Sequence, residues 1–170
     1  MSSVNSIKPN IDGRGLRIGI VQSRFNEPVV VKMLAACVGA LSKCGVADAD
    51  IDHVSVPGAL EIPVALRSMA LQSTAMQSMA LTRHYDALIA IGAVIRGETY
   101  HFEIVSNESC RGVMDVMLET GVPISNGILT VNTDAEADAR VVEKGADCAL
   151  AAVEMAHALK AIAALHKDAI

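Results

Sequence analysis

The stretch ALIAIGAVIRGETYHFE, Ala87 to Glu103, begins as an uninterrupted apolar run and then turns abruptly polar. An apolar run without alternation is typical of a strand that is covered on both faces, so we predict a buried parallel strand over Ala87–Ile95. Such a strand carries the polar residues that follow it to the edge of a sheet. There Gly97 lets a ligand approach the backbone closely, and His101 can exchange a proton near neutral pH. The alternative is an ordinary turn with Thr99 capping the next helix.

Three further apolar runs predict the remaining strands, at Leu16–Gln22, Ile51–Val56 and Ile124–Val131. A helix is expected after each of the four strands, at Pro28–Cys44, from Pro57-Gly58 through Met69 to about Leu81, at His101–Glu119, and from Asp134 to about Lys167 with a break at Gly145. Asn26 or Glu27 is expected to cap the first helix. Strands that alternate with helices in this way require a parallel sheet with right-handed crossovers, which makes the fold class α/β.

Composition predicts one domain with an aliphatic core. The chain has 170 residues, of which 52% are apolar, yet it contains no Trp and only two Phe and two Tyr. The mean hydropathy of +0.40 is high for a soluble monomer, so part of the apolar surface is expected to close against other subunits. Residues 1–15 are polar and are interpreted as an N-terminal arm, and residues 16–170 as the single domain.

Several classes of protein and site are disfavoured by charge and cysteine spacing. A net charge of -5 without a basic run argues against nucleic-acid binding. The cysteines form no CxxC pair, so no metal site or disulfide framework is expected, and they are interpreted as reduced thiols of a cytoplasmic protein: Cys37, Cys44, Cys110 and Cys148. The polar segment Met1–Ile11 is not expected to act as a secretion signal, and the charged residues Glu154 and Lys160 argue against a membrane span near the C-terminus.

Polar motifs also follow the other predicted strands. They are SRFN at 23–26, VPGALEIP at 56–63, and PISNGILT at 123–130 together with Arg140 and the Lys144-Gly145 pair. Taken in this order with GAVIRGETYHFE, they resemble the lumazine synthase family from about Leu16 to Leu159. The resemblance implies a flavodoxin-like three-layer sandwich, in which a four-stranded parallel sheet of order 2-1-3-4 is flanked by helices. Ligands of such sheets bind outside the carboxyl ends of the strands at the switch point between the first and third strands.

The resemblance also implies an activity. The family's transferases condense 5-amino-6-(D-ribitylamino)uracil with 3,4-dihydroxy-2-butanone 4-phosphate to 6,7-dimethyl-8-ribityllumazine in riboflavin biosynthesis, releasing phosphate and water. No cofactor and no metal are implied. The partners implied are these small-molecule substrates and further copies of the chain, as a homo-oligomer built from pentamers, single, paired or closed into a shell. The site would be shared between adjacent subunits.

Four side chains are given individual roles by the resemblance. His101 would be the catalytic proton donor, the alternative being a helix-capping histidine. Phe25 would stack on the pyrimidinedione, the alternative being simple packing against the first helix. Glu61 would accept hydrogen bonds from ribityl hydroxyls, with helix capping as the competing interpretation. Arg140 would bind phosphate with its rigid fork, the alternative being a solvated helix face.

The remaining candidate residues contribute mainly through the backbone or through proximity. Those assigned to the heterocycle edge are Ala93, Val94 and Ile95, and those on the phosphate side are Gly97, Glu98 and Thr99, with the Glu98 side chain pointing away. Further substrate-binding candidates are Asn26, Ala59, Leu60, Asn126 and Lys144.

The sequence departs from the family pattern in three places. Asn126 stands where an aromatic or large apolar residue is usual, so one wall of the heterocycle pocket is expected to be polar. The chain is shorter than usual between Arg140 and Lys144, and longer from Ser68 to His84.

Two other functions would use parts of the same pattern. A non-catalytic flavin or lumazine binder on the same scaffold could dispense with His101 and Arg140, both of which are present. A flavodoxin-like response domain would carry an acidic cluster where Gln22 and Ser23 stand.

Overall fold

The computed structural model describes residues 6–75 and 84–165, without the side chains of 72–75. The strands are β1 (Ile18–Ser23), β2 (Ile51–Val56), β3 (Ala87–Ile95) and β4 (Ile124–Val131). The helices are α1 (Glu27–Cys44), α2 (Ile62–Ala75), α3 (His101–Thr120), α4 (Asp134–Asp138) and α5 (Val141–Leu165). The predicted continuation of α2 to Leu81 and of the last helix to Lys167 lies outside the described residues.

The strands of the described chain form one parallel sheet in the order β2-β1-β3-β4, as predicted. All residues of β1 are buried, and all of β3 except Ile95, because helices cover both faces of these central strands. β3 runs past its last pair with β1, Gln22 with Ile91, and stays paired with β4 up to Ile95 with Val131. The far end of β3 therefore has a backbone edge that β1 does not cover.

Two helical layers enclose the sheet. Helices α1 and α5 pack on one face, where Ile20, Met33 and Val153 belong to one apolar cluster. Helices α2 and α3 pack on the other face, where Val21 and Ile62 belong to a second cluster. Because successive strand residues point to opposite faces, Ile20 and Val21 enter different clusters. The result is a three-layer α/β sandwich.

The predicted helix break at Gly145 is wrong. The interruption lies at Ala139–Arg140, between α4 and α5, while Gly145 is buried inside α5. A Cβ at Gly145 would lie 2.4 Å from the Met33 carbonyl oxygen. Gly145 is thus required by the close approach of α5 to α1, and tertiary packing outweighs its low helix propensity.

Asn26 occupies the predicted N-cap position of α1, but its side chain does not cap the helix. Asn26 has a left-handed backbone (φ 58°) and makes no side-chain capping hydrogen bond, and Glu27 is the first helical residue. The side chain of Asn26 instead donates from Nδ2 to the Ala93 carbonyl oxygen at 2.8 Å. The Asn26 side chain, which the local sequence pattern assigned to the helix cap, thus makes a long-range contact with β3 instead.

Within residues 6–15, the part of the N-terminal arm that the structure describes, Asp12 and Gly13 contact the domain. The Gly13 amide donates to the Cys44 carbonyl oxygen at 2.7 Å, and His157 Nε2 lies 2.6 Å from the Asp12 carbonyl oxygen. The His157 contact joins this segment to α5. Helix α5 is long and apolar enough to cross a membrane, but its buried residues pack on α1 and the sheet, as those of a core helix do.

Candidate functional site

A cavity of about 540 Å³ opens at the carboxyl ends of β1, β2 and β3. Parallel strands present their carboxyl ends at one edge of the sheet, and the order of the strands places β1 and β3 side by side there. The candidate residues that line it are Phe25, Asn26, Ala59, Leu60, Glu61, Ala93, Val94, Ile95, Gly97, Thr99 and His101. The structure thus brings together groups from three different strand ends.

The end of β1 presents an aromatic ring. Phe25 is 74% exposed, although buried residues precede it. Its backbone is held by a hydrogen bond from its amide to the Pro57 carbonyl oxygen at 3.1 Å. On the other side, Asn26 is tied to the Ala93 carbonyl oxygen. An exposed aromatic ring on a fixed backbone is suited to stacking against a flat ligand.

The segment after β2 supplies the acidic group. Ala59–Glu61 forms a 3-10 turn, and the Glu61 amide donates to the Gly58 carbonyl oxygen at 3.3 Å. Glu61 is exposed and lines the cavity just before α2 begins at Ile62. A carboxylate in this position can accept hydrogen bonds from ligand hydroxyl groups.

The end of β3 contributes backbone first and then polar side chains. Ala93 and Val94 are buried, so mainly their peptide edges are available to a ligand. Gly97, Thr99 and His101 follow, all exposed, and His101 opens α3. The His101 imidazole thereby lies beside an apolar, partly enclosed space.

Arg96 is held between the sheet and the first turn of α3. Its Nη1 lies 2.5 Å from Glu103 Oε1 and its Nε 2.9 Å from Asn132 Oδ1. Its guanidinium lies 4.1 Å from the ring centroid of Phe102, a cavity-lining residue. Hydrogen bonding from Arg96 lowers the pKa of Glu103 below its ordinary value.

Four of the candidate residues do not line this cavity. Glu98 is exposed in the loop before α3. Asn126 lies within β4 opposite Ala90, with its Nδ2 2.8 Å from Cys110 Sγ and its Oδ1 accepting from the Ile128 amide. Arg140 and Lys144 follow β4 in the chain, Arg140 between α4 and α5 and Lys144 within α5. Arg140 donates to the Glu136 carbonyl oxygen at 2.8 Å, and Lys144 pairs with Asp147 at 3.3 Å.

Sequence reasoning missed Pro57, Gly58, Phe102 and Val105, which also line the cavity. The sequence indicates Pro57 and Gly58 only as the start of the second helix and as part of the VPGALEIP motif. Phe102 carried a usable signal, because it is the only phenylalanine besides Phe25 and follows His101 directly. Val105 lies one turn further along α3, on the side of the helix that faces the cavity.

No group of three or more His, Cys, Asp or Glu side chains within residues 6–75 and 84–165 is placed to bind a metal ion. The cysteines there are free thiols. Burial raises the pKa of Cys37 to about 12 and also raises that of Cys148, so both remain protonated and unreactive at neutral pH.

Comparison with known proteins matches residues 15–160 to the family model for 6,7-dimethyl-8-ribityllumazine synthase. A protein of that name from Cupriavidus necator is 58% identical over 156 residues, which cover 92% of this chain and 88% of the relative. One from Ralstonia nicotianae is 56% identical, covering 90% of this chain and 87% of the relative. One from Burkholderia multivorans is 53% identical, covering 97% and 90%.

Proposed function

The chain belongs to the 6,7-dimethyl-8-ribityllumazine synthase family, and we propose that the cavity at the carboxyl ends of β1, β2 and β3 is its catalytic site. It is a transferase of riboflavin biosynthesis, and the relatives give no support to a non-catalytic binder. The observation that carries the proposal is the meeting of Phe25, Glu61 and His101, three residues far apart in the chain, around one cavity.

The ribitylaminouracil is proposed to lie between β1 and β3. Phe25 stacks on its ring, and the backbone of Ala93, Val94 and Ile95 pairs with the polar edge of the heterocycle. β1 does not cover this edge of β3, although the Ala93 carbonyl oxygen already accepts a hydrogen bond from Asn26. Glu61, with Ala59 and Leu60 beside it, receives the ribityl hydroxyls.

The butanone phosphate is proposed to lie at the loop after β3. Backbone groups of Gly97, Glu98 and Thr99 face its phosphate, and the Glu98 side chain stays outside the cavity. No redox chemistry is involved, since each step is a proton transfer, an addition or an elimination. The 5-amino group adds to the ketone and water leaves, phosphate is eliminated, and the ribitylamino nitrogen closes the ring with loss of a second water.

His101 is proposed to move protons in these steps, because it lines the cavity beside residues 97–99, which we call the phosphate loop. Most of the acceleration comes from holding the two substrates together, which can supply about 7 to 11 kcal/mol of the barrier. A positioned acid or base then adds about 10² to 10⁴ in rate.

The site is proposed to be completed by the adjacent subunit of a pentameric ring. Asn126, Arg140 and Lys144 do not line the cavity of their own subunit. Asn126 lies on β4, the edge strand opposite β2, and Arg140 and Lys144 follow β4 in the chain. Large apolar side chains on the surface, among them Val31, Val64 and Val142, are consistent with burial between subunits. The buried, protonated thiols suit the reducing cytoplasm, where we place the protein.

The test is to mix the two substrates with the protein and follow the absorbance and fluorescence of the lumazine. Formation above the spontaneous rate supports the proposal. A rate no higher than that of the substrates alone would contradict it.

A further inference from the structure

Arg96 does not line the cavity, yet it is bound to three groups that surround the loop after β3. We propose that Arg96 is a positioning residue, which clamps the first turn of α3 to the end of β4 and so holds the phosphate loop and His101 in place. This inference rests on the proposed function for the role of the loop.

The ion pair between Arg96 and Glu103, which we call the clamp, joins the two ends of the loop after β3. Arg96 stands directly after β3, and Glu103 lies in the first turn of α3, so the ion pair between them spans residues 97–102. Residues 97–101 are all exposed. Two backbone hydrogen bonds to carbonyl oxygens of this segment are long, from the Phe102 amide to Thr99 O at 3.4 Å and from the Ile104 amide to Tyr100 O at 3.3 Å. The Arg96–Glu103 pair is shorter, at 2.5 Å, and it joins the two ends of the loop.

The other contacts of Arg96 connect this tie to fixed structure. Its amide donates to the Val131 carbonyl oxygen at 2.9 Å, and its Nε to Asn132. The amide of Asn132 in turn donates to Glu136 Oε2 at 2.8 Å, which anchors it to α4. A guanidinium is suited to this role because its rigid fork can bind two partners while its face lies on a ring.

The pair is not expected to act through stability alone. The side chains of Arg96 and Glu103 are 43% and 31% exposed, and ion pairs of that exposure contribute little to the free energy of folding. The position of the loop matters more, because misplacing reacting groups by 1 Å can cost about 10² in rate.

The test compares Arg96→Met with the wild type. Methionine keeps an apolar side chain over Phe102 but removes the charge and the hydrogen bonds. We expect faster amide hydrogen exchange in a peptide covering residues 97–106. The KM for the butanone phosphate should rise about tenfold and kcat should fall, because the phosphate loop and His101 are both released. The KM for the pyrimidine should change less than about twofold, because its contacts are not released.

Two further variants sharpen the test. Arg96→Lys keeps the charge but cannot fork to Glu103 and Asn132 together, so it should restore part of the affinity for the phosphate substrate. Arg67→Met is the matched control, since Arg67 makes a similar exposed pair with Glu119 at the other end of α3, at 2.7 Å. It should leave both KM values unchanged.

Unchanged exchange in residues 97–106 would overturn the proposal. So would an equal rise of both KM values with a lower melting temperature, because a general loss of stability would produce that pattern. If Arg96→Met does not assemble, Glu103→Gln breaks the same ion pair and is judged by the same two measurements. An inactive wild type would contradict the proposed function, while the exchange comparison would still test the clamp.

Discussion

The shared site can be tested by combining two inactive variants. Glu61 lines the cavity, whereas Arg140 lies beyond α4 and does not line the cavity of its own subunit. If each site takes Glu61 from one subunit and Arg140 from its neighbour, then Glu61→Ala and Arg140→Ala each disable every site of a uniform ring. Each variant therefore removes one of the two side chains that a shared site needs, from opposite sides of the same interface.

The expected recovery follows from counting interfaces in mixed rings. When equal amounts of the two variants assemble at random, each interface has an intact Glu61 in half of the cases and an intact Arg140 in half. About one quarter of the interfaces then carry both, so activity should return to about one quarter of the wild-type rate. If each subunit held a complete site, no interface would recover.

The assay is to unfold both variants, mix them, reassemble them and measure lumazine fluorescence, with native mass spectrometry to verify subunit exchange. A matched control mixes the wild type with the Glu61→Ala/Arg140→Ala double variant, which should give about one quarter for a shared site and about one half for a site within one subunit. Mixed rings as inactive as either parent, with exchange verified, would refute the shared site.

Three other predictions follow from the same structure. His101→Ala should lower turnover by about 10² or less while calorimetric binding of the ribitylaminouracil stays nearly intact; unchanged turnover would remove His101 from the mechanism. Asn126→Phe should tighten pyrimidine binding by about 0.5 to 1.5 kcal/mol in a titration, and weaker binding would reveal a hydrogen bond from Asn126 to the substrate. Gly145→Ala should lower the free energy of unfolding by about 1 to 3 kcal/mol, because its Cβ would lie 2.4 Å from the Met33 oxygen. Its control is Gly39→Ala, where a Cβ meets nothing within 4 Å, and equal melting temperatures at one protein concentration would contradict the close approach of α1 and α5.

The strands were predictable because their signal is local. The predicted bounds of β2, β3 and β4 agree with the structure residue for residue. β3 is an apolar run, and β2 and β4 carry Val and Ile among polar residues and are followed by turn residues. The ends of α1 and α3 were predictable for a similar reason. Gly45 and Gly121 both adopt a left-handed backbone, with φ of 93° and 70°, which other residues adopt with difficulty.

The wrong helix break at Gly145 and the missing side-chain cap at Asn26 have a common cause. Gly145 looks like a helix breaker and Asn26 looks like a cap when only their neighbours in the chain are considered. In the structure, Gly145 makes room for the Met33 carbonyl of α1, and Asn26 binds the Ala93 carbonyl of β3. Both partners are distant in sequence, so no local pattern contains them.

The amino-acid sequence by itself determined the alternation of strands and helices, the α/β class and the polar motifs that carry the family resemblance. It did so because periodicity and turn chemistry depend on residues a few positions apart. Only the tertiary structure decided that Phe25, Glu61 and His101 meet around one cavity and that Arg140 does not line this cavity. It also decided that Arg96 ties the loop after β3 to the residue that follows β4. Those relations depend on strand order and on packing between distant elements, where a shift of a few ångströms changes which groups can touch.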